Sequence, residues 1–244
     1  MRTAFVTGAS QGIGAATAKA LAADGFRVVV HYGAQRAKAE AVVAAIRAAG
    51  GSADVVGADL ADREAPFRLA EDVRALCGGQ LHALVLNAAI MSPSDILDCS
   101  EETFDNLFAV NLRAPFFLLQ RLAPALVEGG SVTFLSSLTA RRVVGNVAAY
   151  GAMKYALESL VRRGAAELGP RWVRVNAVAP ATTASETVRP FTETEAGFAA
   201  TVAMQALKRV AQPEDIADVI AFLASDKARW ISGAVIPVDG GSML

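Results

Sequence analysis

Seven short β-type runs recur along the chain, at 4–7, 27–31, 53–56, 83–87, 131–136, 173–179 and 234–238. The gaps between them carry longer amphipathic or alanine-rich stretches, at 12–24, 37–49, 63–76, 102–127, 149–168 and 214–224. This alternation reads as repeated β-α-β units, in which crossover helices join parallel strands into an open, doubly wound sheet. Helices cover both faces of such a sheet, so its strands are apolar throughout and the composition runs rich. Of the 244 residues, 53% are hydrophobic, and the mean hydropathy is +0.37. No run approaches the ~18 unbroken apolar residues that a spanning helix needs, because Gly, Asn, Ser, Arg or Glu interrupts each one. The excess therefore belongs to a core, and the expectation is one α/β domain over 1–244 with about seven parallel strands.

Several helix ends are legible. Gln212-Pro213-Glu214-Asp215 puts proline and two acids where a helix start tolerates a missing donor and favours negative charge. Ser100-Glu101-Glu102 has the form of an N-cap with an acidic first turn. Gly50-Gly51 and Gly78-Gly79 supply stops after two helices. One stretch, 182–205, escapes the alternation: it is rich in Thr, Ala and Glu, contains Pro190 and Gly197, and has weak apolar periodicity. An insertion of that length between strand and helix is more often functional than idle, and it is expected to form a substrate lid.

Lys and Arg number 23 against 24 Asp and Glu, giving a net charge of -1 with no long block of either sign. That argues against a nucleic-acid binder. Cys77 and Cys99 are too few for a disulfide framework and lie outside any short metal-ligand spacing. With only His31 and His82, a multi-histidine metal site is excluded and a Ser-His-Asp triad disfavoured. Met1-Arg2 leads straight into the first β run without the apolar region of a signal peptide, which points to cytoplasmic, reducing surroundings.

Two constellations carry chemistry. Thr7-Gly8-Ala9-Ser10-Gln11-Gly12-Ile13-Gly14 joins the first strand to an alanine-rich helix. Glycines there allow a tight turn, close approach of a pyrophosphate and tight helix packing, and free N–H groups at the helix start attract the anion. The spacing Gly-x-x-x-Gly-x-Gly differs from the commonest dinucleotide fingerprint. The second constellation is Tyr150 and Lys154, four apart on one helical face, preceded by Ser136-Ser137 at a strand end. A lysine near a phenol favours the phenolate and lowers its pKa from the usual ~10. Such a tyrosine can serve as general acid or base, with Ser137 polarising a substrate oxygen. A core tyrosine and a solvated lysine would share the same spacing, and it is the glycine-rich turn that favours the chemical reading.

Together these features resemble the short-chain dehydrogenase/reductase family over almost the whole chain, from about residue 2 to 241. The residues from Thr7 to Gly14 match its cofactor turn, and Ser137, Tyr150 and Lys154 match its catalytic Ser and Tyr-x-x-x-Lys arrangement. Asn111, in Val110-Asn111-Leu112, matches the fourth catalytic position, which the family uses to hold a water in a proton relay through the lysine. The resemblance implies a Rossmann-type fold and a cofactor site with contacts from Gly8, Ser10, Gln11, Gly12, Ile13, Gly14, Tyr32, Gly33, Asp59, Leu60, Asn87, Ala88, Ala89, Tyr150, Lys154, Pro180, Thr183 and Ser185. It also implies a homotetramer or dimer, for which Phe108, Phe116, Leu157 and Leu160 are candidate contacts.

The chain departs from the family pattern at Leu86 and Ala89, where Asn and Gly are usual, and at Ala181, where the usual residue is Gly. None of these removes a catalytic group. The implied activity is NAD(P)-dependent hydride transfer between nicotinamide and a ketone or secondary alcohol. A 3-oxoacyl-[acyl-carrier-protein] reductase is the runner-up, with Arg141 and Arg142 able to meet an acidic carrier. A nucleotide-sensing binding protein without catalysis is the alternative from another class.

NADP(H) is expected ahead of NAD(H). NAD specificity in such folds rests on an acid after the second strand that bonds the ribose hydroxyls and repels a 2′-phosphate. Tyr32-Gly33 occupies that place, and no Asp or Glu lies between Asp24 and Glu40. His31, Arg36 and Lys38 are nearby cations or potential cations, whereas Gln11 stands where many NADP-preferring relatives carry a basic residue.

Overall fold

The computed structural model describes residues 1–186 and 188–242. Thr187, inside the expected lid, and the last two residues lie outside the described residues. Seven parallel strands form one sheet in the order β3-β2-β1-β4-β5-β6-β7. They are β1 (Thr3–Val6), β2 (Arg27–Tyr32), β3 (Ser52–Gly57), β4 (Leu81–Leu86), β5 (Leu126–Leu135), β6 (Arg174–Pro180) and β7 (Val235–Val238). The helices are α1 (Gly12–Ala23), α2 (Arg36–Ala48), α3 (Ala65–Leu76), α4 (Glu101–Phe108), α5 (Ala114–Leu122), α6 (Ala148–Leu168), α7 (Arg189–Thr192), α8 (Glu195–Ala203) and α9 (Pro213–Ala224).

The period-2 alternation of strand side chains divides the core into two layers. Ala4, Val6, Val28 and Val30 pack with Leu21 of α1, Val42 of α2 and Ile220 of α9. Phe5, Val29, Leu84 and Phe134 face the other way, onto Leu69 of α3, Leu118 of α5 and Leu157 of α6. Both faces are therefore dry, which explains the apolar composition. Strand order reverses at β1, whose neighbours are β2 and β4, so the loops after β1 and β4 diverge and open a crevice at the C-terminal edge.

The expected caps are present. Ser100 Oγ accepts the Thr103 N–H at 3.2 Å. Gln212 N–H reaches Asp215 at 2.7 Å, closing a capping box around Pro213. The predicted helix 102–127 is not continuous. A π turn (Ala109–Arg113) separates α4 from α5, and the helix stops at Leu122 because Pro124 restricts Ala123 and cannot donate a helical hydrogen bond. Leu126 already belongs to β5. The stretch 182–205 holds more regular structure than its weak periodicity implies: α7 and α8 lie within it, and Thr194 caps α8 by accepting the Gly197 N–H at 3.0 Å. Of the four expected contact residues, Leu157 is core, Leu160 packs half-buried against that core, and only Phe108 and Phe116 are exposed. Among the described residues, no helix is long and apolar enough to cross a membrane.

Candidate active site

The crevice is built around the glycine-rich turn. Gly8 and Gly12 hold φ of 62° and 55°, in the left-handed region that glycine adopts at little cost. A Cβ on Gly14 would stand 2.3 Å from the Gly8 carbonyl oxygen and 2.6 Å from Asn87 Nδ2, so that glycine permits the close fit of α1 beneath the turn. At Gly12 the nearest atom a Cβ would meet is Ser185 Cβ, at 3.9 Å, which leaves the helix start facing open space. The first amides of a helix have no partners within it, so this opening suits a pyrophosphate, flanked by half-buried Ser10, Gln11 and Ile13.

Three side chains fix the turn. Thr7 Oγ1 accepts the N–H groups of Asn87 and Ala88, both at 2.9 Å. Asn87 Nδ2 donates back to the carbonyls of Thr7 and Gly8, at 2.8 and 3.0 Å. Asn87, expected at the cofactor, thus has its amide committed to holding the turn. The third is His31, which was expected near a 2′-phosphate but is buried at 1% exposure. Its Nδ1 accepts the Gly8 N–H at 3.0 Å and its Nε2 lies 3.0 Å from the Ala58 carbonyl oxygen. That pattern requires a neutral ring with the proton on Nε2, and burial lowers its pKa to about 4. Ala58 leads into exposed Asp59 and buried Leu60, so His31 ties the pyrophosphate turn to the expected adenine segment.

The other expected cofactor contacts surround the same opening. Tyr32 lays its ring where a Cβ on Gly57 would stand, 2.5 Å from Tyr32 Cζ, and Gly33 is exposed beside it. Arg36 is paired with Glu40 at 2.8 Å rather than turned toward the turn. Lys38 is the cation that reaches it, donating to Gln11 Oε1 at 3.0 Å and to Glu186 at 2.5 Å. Ala88 is half-buried and Ala89 exposed after β4. At the end of β6, Pro180 is buried, Thr183 Oγ1 donates to the Ala181 carbonyl at 3.1 Å, and Ser185 Oγ accepts the Val188 N–H at 3.4 Å.

Ser137, Tyr150 and Lys154 converge at the end of β5. Ser137 and Tyr150 share a hydrogen bond that works against the effect of burial, which pushes the phenol up to about 12. Lys154 Nζ donates to the Leu135 carbonyl at 2.7 Å and lies 5.5 Å from the Tyr150 ring centroid. The net shift of the phenol is upward because desolvation of the phenolate outweighs the stabilising contacts around it, and burial also lowers Lys154, to about 8. Asn111 is fully buried in the π turn, its Oδ1 accepting the Ile90 N–H at 3.0 Å and its Nδ2 donating to the Ile90 carbonyl at 2.9 Å. These two bonds fix the loop after β4, and they leave a second lone pair on Oδ1 and a second N–H on Nδ2.

Sequence reasoning missed the support beneath Ser137. Glu158, buried at 1%, accepts Ser136 Oγ at 2.9 Å and Arg141 Nε at 2.8 Å. Arg141 is thereby tied to α6 while half of its side chain stays exposed. The Lys154-x-x-x-Glu158 spacing was the available signal, because it places a carboxylate one turn beyond the lysine on the same helical face.

The family model described as enoyl-(acyl carrier protein) reductase matches residues 8–243. An uncharacterised oxidoreductase of Methylorubrum extorquens is 42% identical over 244 residues, covering 98% of this chain and 97% of the relative. Versicolorin reductase 1 of Aspergillus parasiticus is 39% identical, covering 99% and 96%. The chain belongs to the short-chain dehydrogenase/reductase family. It is accordingly an NAD(P)-dependent oxidoreductase acting on a carbonyl or alcohol. Among solved structures of family members, the angucycline C-6 ketoreductase LanV with bound NADP superposes with a TM-score of 0.94 at 36% identity, covering 99% of this chain and 95% of that one.

His31 gives the site a measurable pH signature. Its folded pKa of about 4 lies below its usual 6.5, so the unfolded chain takes up the proton first. Its stabilising contribution is complete above about pH 6.5 and is lost as pH falls toward 4, about 3 kcal/mol in all. Urea midpoints measured across that range should fall more steeply for the native chain than for His31→Asn, which keeps an acceptor for Gly8 but does not titrate; parallel slopes would contradict the assignment.

Proposed function

We propose that this enzyme works as an NADPH-dependent ketone reductase on a bulky, apolar cyclic substrate. The observation that carries this reading is the convergence of Ser137, Tyr150 and Lys154 at the end of β5, with Ser137 and Tyr150 joined by a hydrogen bond and the Lys154 ammonium 5.5 Å from the Tyr150 ring centroid. The phenol, kept protonated by burial, can give its proton to a carbonyl oxygen, and the reductive direction follows the reductases to which the chain is similar.

The glycine-rich turn and helix α1 would hold the pyrophosphate, with Asp59 and Leu60 beside the adenine and Lys154 at the nicotinamide ribose. The nicotinamide supplies the hydride when bound. Ser137 holds the substrate oxygen and Tyr150 delivers the proton. The resulting phenolate is stabilised by the Ser137 hydrogen bond and by the Lys154 ammonium on the same helical face.

Two loops bear on the substrate's shape, 87–100 after β4 and 136–147 after β5. Ser94 pairs with the other loop, donating its N–H to the Asn146 carbonyl at 2.7 Å and accepting the Ala148 N–H at 3.1 Å. These loops leave Ile96, Leu97 and Val143 at 85%, 98% and 97% exposure. They border a cavity of about 630 Å³ beside Thr139 and Gly151. An apolar rim of that kind favours a hydrophobic ring system, in keeping with the ketoreductase named above. The stretch 182–205 is proposed as the lid over this substrate. A carrier-protein reading is weakened by the pairing of Arg141 with Glu158, although Arg142 stays exposed at the cavity, and a non-catalytic sensor reading by the intact Ser137, Tyr150 and Lys154.

For the cofactor, the missing acid at Tyr32-Gly33 favours a 2′-phosphate, as does the Lys38 ammonium, which is shared between Gln11 and the exposed Glu186 carboxylate, and LanV's NADP is consistent with that choice. For assembly, we infer a homotetramer built from dimers, in a reducing cytoplasm. The α4–α5 face exposes Phe104, Phe108 and Phe116 at 47%, 40% and 43%, with acids at its α4 end and Arg113 and Arg121 at its α5 end. A second copy laid antiparallel would pair those ends.

Tyr150→Phe should abolish reduction of a fused-ring ketone such as 2-tetralone while NADPH binding by fluorescence persists; near-full turnover would overturn the mechanism. In the same assay the ring ketone should exceed an acetoacetyl thioester in kcat/KM, and the reverse order would favour the carrier reading. Lys38→Ala should weaken NADPH binding about 10- to 100-fold, the worth of one charge-assisted hydrogen bond, with NADH binding unchanged. Light scattering at micromolar concentration should return a tetramer mass, and a monomer would remove the assembly reading.

A further inference from the structure

A serine hydroxyl can present either its proton or a lone pair to a neighbour. Only the proton is useful to a carbonyl oxygen that must be polarised, so something has to choose for Ser137. We propose that Thr139 is a positioning residue that fixes Ser137 as a hydrogen-bond donor, and that the 3₁₀ turn carrying Thr139 is seated on α6 to keep it there. The proposal rests on the catalytic reading of Ser137 and Tyr150.

Thr139 approaches the Ser137 oxygen twice. Its backbone N–H donates at 3.2 Å and its own hydroxyl lies at 2.8 Å, placed to donate as well. The serine oxygen has two lone pairs, and these two donors fill both. The Ser137 proton is then left to point at the remaining neighbour, the Tyr150 oxygen, or at a substrate oxygen standing in its place. Donation into the serine oxygen also polarises its O–H and makes it the stronger donor.

Two further contacts hold the turn where this works. A Cβ on Gly151 would stand 2.7 Å from the Thr139 carbonyl oxygen, so the turn (Leu138–Ala140) rests directly on the helix one residue beyond Tyr150. Any side chain at 151 would lift it. On the far side Arg141 anchors the turn to the buried Glu158 carboxylate, which also accepts the hydroxyl of Ser136. Both residues that bracket the segment 137–140 are thereby bonded to the helix that carries Tyr150 and Lys154.

The test compares Thr139→Val, which keeps the shape and the backbone N–H but lacks the hydroxyl, with Thr139→Ser, which keeps the donor and loses the methyl. With NADPH saturating, Thr139→Val should lower kcat about tenfold, less than the loss of a donor in direct contact with the reacting oxygen. Its NADPH dissociation constant and thermal midpoint should stay at the native values. The high-pH limb of kcat/KM should move upward, because Tyr150 loses a steady donor to its phenolate, and Thr139→Ser should restore both rate and limb. Native kcat with an unmoved limb in Thr139→Val overturns the proposal. So does a Thr139→Ser variant as slow as Thr139→Val, which would assign the effect to methyl packing. Tyr150→Phe separates the two levels of argument: if it is inactive while Thr139→Val is native-like, only the role of Thr139 fails, and if it stays active the catalytic reading fails with it.

Discussion

Everything in this molecule follows from burying a parallel sheet on both faces. Parallel neighbours cannot be joined by tight hairpins, so each connection must cross over the sheet, and an apolar helix is the way to do that while covering it. The crossovers return every strand to the same polarity. All the loops that can carry chemistry therefore emerge along one edge, and the reversal of strand order at β1 parts two of them. The fold makes the crevice before any residue in it is specified.

Within that crevice the polar groups form two linked devices. At one end Thr7, Asn87 and His31 lock the glycine-rich turn to β4, β2 and the loop after β3. At the other, Glu158 draws Ser136 and Arg141 onto α6, so that Ser137 meets Tyr150. Buried polar groups are costly unless bonded, and Thr7, Asn87, His31, Ser136 and Glu158 each carry a partner. The result is an active site whose reacting groups are few and whose supports are many. His31 illustrates the trade: burial makes it poor at binding a proton or a phosphate, and that same neutrality makes it a dependable acceptor for Gly8.

Electrostatics at Tyr150 depend on context more than on the four-residue spacing. Burial opposes the phenolate and lowers the lysine's affinity for its proton, and the ammonium is turned to the Leu135 carbonyl. The resting phenol is thus kept protonated by burial.

The strands, most helices and the residues at the reacting centre were legible from sequence, because side-chain period and glycine at a turn are local properties that burial then enforces. Local pattern could not show that Asn111 spends both amide ends on Ile90, that Arg36 answers Glu40 while Lys38 reaches Gln11, or that the long helix after β4 breaks at a π turn. Nor could it separate Phe108, which stays exposed, from Leu157, which fills the core. Asn111 and Lys38 meet partners 21 and 27 residues away, and burial depends on segments brought together from across the chain. The sequence by itself determined the sheet, the crevice and the candidate acid. Only the tertiary structure decided what holds each group in place, since hydrogen-bond partners and burial exist only once distant segments are brought together.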